Sequence, residues 1–160
     1  SVSHTEEVPA FLPDRFEPGT PNIPGILGLH AALSDLEKTS MEESFQHEMK
    51  LTQEFIDGIQ ALDPFEKNIR IIGKKNTTDR CAVVSLQTLQ PDMSMVAYEL
   101  DSTYSIMTRV GLHCAPSAHK TLGTYPEGTI RFSFGSENTR HDVDQALHAL
   151  AEITGTPRTL

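Results

Sequence analysis

IRIIG (69–73) and CAVVSLQ (81–87), separated by the polar stretch KKNTTD (74–79), decide the fold of this chain. Isoleucine and valine dominate both runs. Their branched side chains sit well on a pleated surface and lose rotamer freedom in a helix. The two runs therefore predict strands, and the short polar turn between them predicts antiparallel pairing. Cys81, inside the second run, is expected to be a buried structural thiol.

Upstream of the hairpin the apolar period is helical. Asn22 is placed to cap a helix with Pro24 in its first turn. Ile26, Leu27, Leu29, Leu33 and Leu36 then recur at helical spacing to about Lys38. A second helix is expected from about Met41 to Leu62, with Phe45, Met49, Phe55, Ile56 and Ile59 on its apolar face and Glu42, Glu43, Glu48 and Lys50 in water. Pro64 stops it.

Downstream, Pro91 and Asp92 open a helix carrying Met95, Val96 and Leu100, and YSIMTRV (104–110) reads as a third strand. Ser117 to Leu122 reads as a short helix closed by Gly123. TIRFSFG (129–135) is a fourth strand, and Thr139 with Asp142 forms a capping box for a last helix striped by Val143, Ala146, Leu147, Leu150 and Ile153. The order ααββαβαβα describes an α+β domain, a mostly antiparallel sheet of three to four strands covered by helices.

Composition narrows the function. A hydrophobic share of 38% without a long apolar run excludes a membrane-spanning helix and fits a globular domain. The net charge of −9, with no Lys/Arg group longer than a pair, argues against nucleic acid as a partner. Two cysteines make no disulfide framework, and no secretory leader pattern opens the chain, so a reducing cytoplasm is expected. Prolines at 9, 13, 18, 21 and 24 forbid regular structure in the opening stretch. Residues 1–22 are therefore expected to run extended along a second domain or subunit, with the domain proper at 23–160.

RVGLHCAPSAHKTLGT (109–124) is the densest chemical segment. It connects the third and fourth strands and so presents Cys114 on a loop at a sheet edge, where a rigid scaffold fixes reactive groups. Arg109, His113 and the start of the following short helix each favour thiolate if they face the sulfur. From the residues alone, a reactive thiol and a small packed hydrophobe are equally open readings of Cys114.

Three stretches share one resemblance. RVGLHCAP (109–116) resembles the cysteine loop of class V aminotransferase-fold cysteine desulfurases, close to the Suf-type branch. TIRFSFGSENTRHDVDQALHAL (129–150) is similar to that family's closing strand and helix, and RFEPGTPNIPGILGLHAAL (15–33) to its GTPN segment before the long interdomain helix. GTPN recurs in class V enzymes of other activities, so the cysteine loop is what points to desulfuration. Two departures stand out. Val110 occupies a position where a small hydroxyl residue is frequent, and SEN (136–138) replaces a more aromatic stretch.

The resemblance implies the C-terminal small domain of a dimeric fold-type-I enzyme that uses pyridoxal 5'-phosphate. The Schiff-base lysine is expected in a large N-terminal domain absent from these residues, and Lys120, beside His119, is expected to be a solvated helix residue. The enzyme would convert L-cysteine to L-alanine, leave a persulfide on Cys114 and pass the sulfur to an acceptor protein. This fragment alone would be inactive. Arg131 is carried over as the clamp for the substrate carboxylate, a role suited to a planar guanidinium. Arg109 is carried over as the substrate-side arginine on the rim of the cysteine loop, open between substrate contact and a structural tie to the loop. Thr20, with Gly19 allowing close backbone approach, is carried over as a ligand of the cofactor phosphate across the dimer, the competing reading being an ordinary Pro-Gly turn. His113 is a substrate-side residue, open between proton carrier and loop packing. For Arg131 the competing reading is a strand-edge surface arginine.

Other classes of function are compatible with parts of the same sequence. A class V aminotransferase or selenocysteine lyase would keep the fold, and a non-catalytic interaction domain would need none of these side chains. A metal site would draw on His113, Cys114 and His119 with His30 or His141, but that spacing matches no zinc pattern and no CxxC is present, so no metal is expected.

Overall fold

A computed structural model describes residues 7–17, 19–89 and 92–156. Among them lie helices α1 (Ile23–Leu36), α2 (Met41–Leu62), α3 (Met93–Tyr104), α4 (Pro116–Leu122) and α5 (Arg140–Thr154). The strands are β1 (Ile69–Ile72), β2 (Val83–Thr88), β3 (Arg109–Gly111) and β4 (Thr129–Ser133). The element order is the one the periodicity predicts. Two compact units form, Ser1–Met41 and Glu42–Leu160.

In the first unit, a turn closes as Arg15 N–H donates to Phe11 O (3.0 Å) and Glu17 N–H to Pro13 O (3.1 Å). The Asn22 side chain caps α1, its Oδ1 accepting from Gly25 N–H at 3.1 Å. No residue of α1 is buried, so the apolar stripe from Ile26 to Leu36 stands uncovered. Residues 1–6 and Pro18 of the expected extended segment lie outside the described residues, as does Pro91 ahead of α3.

In the second unit the strands are ordered β1-β2-β4-β3, all neighbours antiparallel. Alternation sends Ile69, Ile71, Val84, Leu86, Ile130 and Phe132 into one core with α2, α3 and α5. Phe55 of α2 lies at its centre, its ring 4.9 Å from Phe132 and 5.3 Å from Phe134. Gly58 lets α2 and α5 close on each other, because a Cβ there would meet the Leu147 side chain. Asp63 ties the end of α2 to β1 by accepting from Asn68 N–H (2.5 Å) and Ile69 N–H (2.9 Å). Burial pushes its pKa up, but the backbone donors Asn68, Ile69 and Lys67 outweigh that and leave it below the ordinary 3.8. The capping box of α5 forms as expected.

Four local expectations are corrected. Residues 104–110 are not one strand. Asp92 caps α3 by accepting from Ser94 N–H at 2.9 Å, and the buried register Met93, Val96, Leu100 carries the helix to Tyr104. Ser105, left-handed at φ 56°, then ends it, with Ile106 N–H returning to Leu100 O at 2.8 Å. Only Arg109–Gly111 pairs. Second, Met93 rather than Met95 is the buried methionine of α3, because 93, 96 and 100 share a face. Third, Phe45 is exposed, and the buried stripe of α2 begins at Met49. Fourth, Cys81 is exposed, because β2 begins two residues later at Val83 and Cys81 lies in the turn before it.

Candidate active site

The loop between β3 and β4 is drawn closed by two glycines. Gly111 (φ +109°) and Gly128 (φ +83°) both have left-handed backbone, and a Cβ on Gly128 would run into the Gly111 backbone. Within the loop His113 (φ +49°) and Cys114 (φ +59°) are also left-handed. Such a conformation costs a non-glycine residue on the order of 1–3 kcal/mol, so surrounding structure must hold it. Ala115 N–H donates to Leu112 O at 2.8 Å, and α4 follows directly, closed by left-handed Gly123.

His113 supplies the longer-range hold. Its Nε2 lies 3.1 Å from both the carbonyl oxygen and Oγ1 of Thr129. A carbonyl can only accept, so Nε2 carries the hydrogen and Nδ1 the lone pair of the neutral ring. Nδ1 is buried without a partner. The ring centroid lies 5.8 Å from that of His119, which is itself buried and fastened through Nδ1 to Thr124 Oγ1 at 2.6 Å. Burial lowers the His113 pKa below 6.5, Arg131 lowers it further, the Thr129 backbone bond opposes this, and His119 and Arg109 add to the lowering. His113 is therefore neutral at pH 7 and does not contribute the positive charge expected of it beside the thiol.

Arg109 does contribute it. Its Nη2 lies 3.9 Å from Cys114 Sγ. Arg109 is also the register partner of Arg131 across the β3–β4 pair. Two like charges directly opposed on one sheet face are unfavourable, and their arrangement suits an anion that both can reach. Arg131 sits on an inner strand, half-buried, with Nε sealed from solvent and unpartnered, which removes the edge-arginine reading. Ser85 faces it from β2.

Cys114, Arg109, Arg131 and His113 are thus brought together on the face of the sheet away from α2, α3 and α5, where α4 brings His119 against His113. Val110, the first departure from the family pattern, is exposed on β3. Gly19 and Thr20 belong to the other unit, where both are exposed. Lys120 is solvated, with its ammonium 5.1 Å from the Tyr125 ring centroid. Among the described residues, no three His, Cys, Asp or Glu side chains are placed to hold a metal ion. Thr129 and Thr124 escaped the sequence reading. Thr129 precedes Arg131 by two residues on a strand, so alternation already put it on the same face. No helix among the described residues is long and apolar enough to cross a membrane.

Comparison with known proteins identifies the family and fold. The family model described as aminotransferase class-V matches residues 1–146. A probable cysteine desulfurase of Pyrococcus abyssi is 34% identical over 147 residues, covering 92% of this chain and 35% of that protein. The apo structure of a cysteine desulfurase from Thermococcus onnurineus NA1 superimposes with a TM-score of 0.78 at 34% identity, covering 89% of this chain and 34% of that one. The Escherichia coli cysteine desulfurase CsdA, solved in an S-sulfonic acid form, gives a TM-score of 0.73 at 27% identity, covering 88% of this chain and 33% of that one. The chain spans about a third of the length of the relatives it matches.

Proposed function

This chain belongs to the class V aminotransferase family, and from that premise we propose that it is the C-terminal part of a cysteine desulfurase in which Cys114 receives the sulfur of L-cysteine. The observation that carries the reading is the Arg109 guanidinium 3.9 Å from Cys114 Sγ, with Arg131 opposite it on the same sheet face. A nucleophilic thiol and a carboxylate clamp side by side are what an amino acid bearing a thiol requires.

Enzymes of this family are dependent on pyridoxal 5'-phosphate. The residues here fit that group. Thr20 presents an exposed hydroxyl, and nothing lies within 4 Å of where a Cβ on Gly19 would stand, so a phosphate has free approach to both. Thr20 and Gly19 would hold it, and the group supplies an electron sink for chemistry at the substrate carbon. In this reading the Schiff-base lysine is carried by a separate large domain, and residues 1–22 lie on the cofactor and dimer side. Residues 23–160 comprise the small domain together with the interdomain helix α1, which falls in the first compact unit. The protein works as a cytoplasmic homodimer that hands its sulfur to an acceptor protein.

Arg131 holds the substrate carboxylate in bidentate fashion. Arg109 keeps positive charge beside the Cys114 thiolate as it attacks the substrate sulfur. The new S–S bond forms as the substrate's Cβ–S bond breaks. The carbon keeps the electron pair, takes up a proton and leaves as alanine, and Cys114 retains the sulfur as a persulfide.

The test is Cys114→Ala in the full-length holoenzyme, with alanine and protein-bound persulfide measured after addition of L-cysteine. Both should vanish. Undiminished alanine formation without protein-bound persulfide, with a thiol reductant present to carry the sulfur off as sulfide, would refute Cys114 as the sulfur acceptor and favour a class V lyase that needs no thiol of its own. No alanine from L-cysteine in the parent enzyme would refute the desulfurase reading itself.

A further inference from the structure

We propose that His113 and Thr129 form a positioning pair: the neutral His113 ring, tied through Nε2–H to Thr129, clamps the left-handed His113–Cys114 turn and aims the sulfur, and carries no proton in the reaction. This rests on the reading of Cys114 as the sulfur acceptor and assigns the residue beside it a role.

Four observations carry it. The ring nitrogen that bears hydrogen is already committed, to a carbonyl oxygen and a hydroxyl oxygen of one residue at 3.1 Å each. Thr129 is only 1% exposed although it lies on the open face of the sheet, so its polar atoms lack water and the ring satisfies them. Two successive left-handed residues, neither of them glycine, need an external hold, and His113 ties this turn to the Thr129 backbone and hydroxyl, beside the longer 3.9 Å contact of Arg109 with Cys114 Sγ. The far end of the tether is rigid. Thr129 pairs with Gly111, and the carbonyl of the preceding Gly128 accepts from Gln87 Nε2 at 3.2 Å.

A proton carrier would need the opposite features. It would have to gain and lose a proton near neutrality, and the charged and titratable groups facing His113 oppose that. Arg109 from β3, Arg131 from β4 and His119 from α4 all disfavour a second positive charge, as does burial. Nδ1 is buried and makes no hydrogen bond through which a proton could be relayed.

The variants are His113→Gln, which keeps an N–H donor at similar reach and cannot titrate, His113→Leu, which fills the space without a donor, and Thr129→Val, which removes Oγ1 and leaves the carbonyl. In the full-length holoenzyme two quantities are read. The first is amide hydrogen exchange of the peptide containing residues 112–116, which depends on local opening alone. The second is the kcat and KM for L-cysteine as a function of pH. His113→Leu should accelerate exchange by about tenfold or more and lower kcat with little change in KM, since the carboxylate clamp is untouched. His113→Gln should restore both to within about threefold of the parent and leave the pH profile of kcat unchanged, and Thr129→Val should fall between. Two results would overturn the proposal. One is His113→Gln as impaired in kcat as His113→Leu, or lacking an ionisation the parent shows. The other is His113→Leu with exchange at the parental rate. Should the parent protein make no alanine from L-cysteine, the desulfurase reading fails, and the exchange comparison still decides the tether.

Discussion

Ile69, Ile71, Val84, Leu86, Ile130 and Phe132 of β1, β2 and β4 occupy one face of the sheet and are nearly sealed from water, while Arg70, Ser85 and Arg131 of the same three strands, with Arg109 of β3, face the other way and remain half-buried or exposed. The covered face is apolar, with Phe55 fully buried at its centre. The open face is polar and electrostatically unrelaxed, with two arginines in register and an unpartnered Nε on one of them. A stable protein has no need of opposed like charges. The contrast teaches that the first face makes the domain and the second is kept at some cost in stability, as expected of a binding or catalytic surface.

Substitutions should separate the two faces. The largest effect belongs to Phe55→Ala. Removing a fully buried ring that touches both Phe132 and Phe134 should cost about 3–5 kcal/mol, a large part of a domain's stability, and lower the Tm in thermal unfolding. A loss under about 1 kcal/mol would mean that the core closes elsewhere. Arg131→Lys should do the reverse. It forfeits bidentate geometry worth about 1.5–3 kcal/mol, so kcat/KM for L-cysteine in the full-length enzyme should fall roughly ten- to a hundredfold. Its Tm should hold, because the ammonium keeps the charge and its flexible stem can turn away from Arg109. Unchanged kinetics with a lowered Tm would assign Arg131 to structure and collapse the distinction between the faces.

The covered face was the legible one. Alternation over 69–73 and 81–87 and the helical stripes of α2 and α5 follow from periodicity alone, since burying one face imposes it. Residues 104–110 failed because tyrosine, isoleucine and valine suit a strand, whereas tertiary burial of Val96 and Leu100 extended α3 through Tyr104. On the open face, Arg109 and Cys114 were readable because they stand five positions apart in one segment, but Arg131 was found through family resemblance and not through any local pattern. Thr129 stayed hidden. Its partner His113 lies sixteen residues away, and the left-handed turn joining His113 to Cys114 contains no glycine to announce it.

Acid offers the finest separation of the two faces. The lowered pKa of His113 means that the unfolded chain takes up this proton first, so its contribution to stability is complete above pH 6.5 and is lost as pH falls through the lower folded value. Asp63 is also lowered, but from 3.8, so its contribution persists through that range and is lost only as pH falls through its own folded value. The open face should therefore loosen before the α2–β1 junction does. Thermal unfolding of the full-length enzyme from pH 7.5 to 3 tests the order. His113→Gln should flatten the loss of Tm just below pH 6.5 and leave the limb below 3.8 intact, whereas Asp63→Asn should flatten the lower limb alone. If His113→Gln left the upper slope unchanged, the ring would be titrating as freely when folded as when unfolded, and the clamp on the cysteine loop would have to be sought in α4, where His119 is held by Thr124.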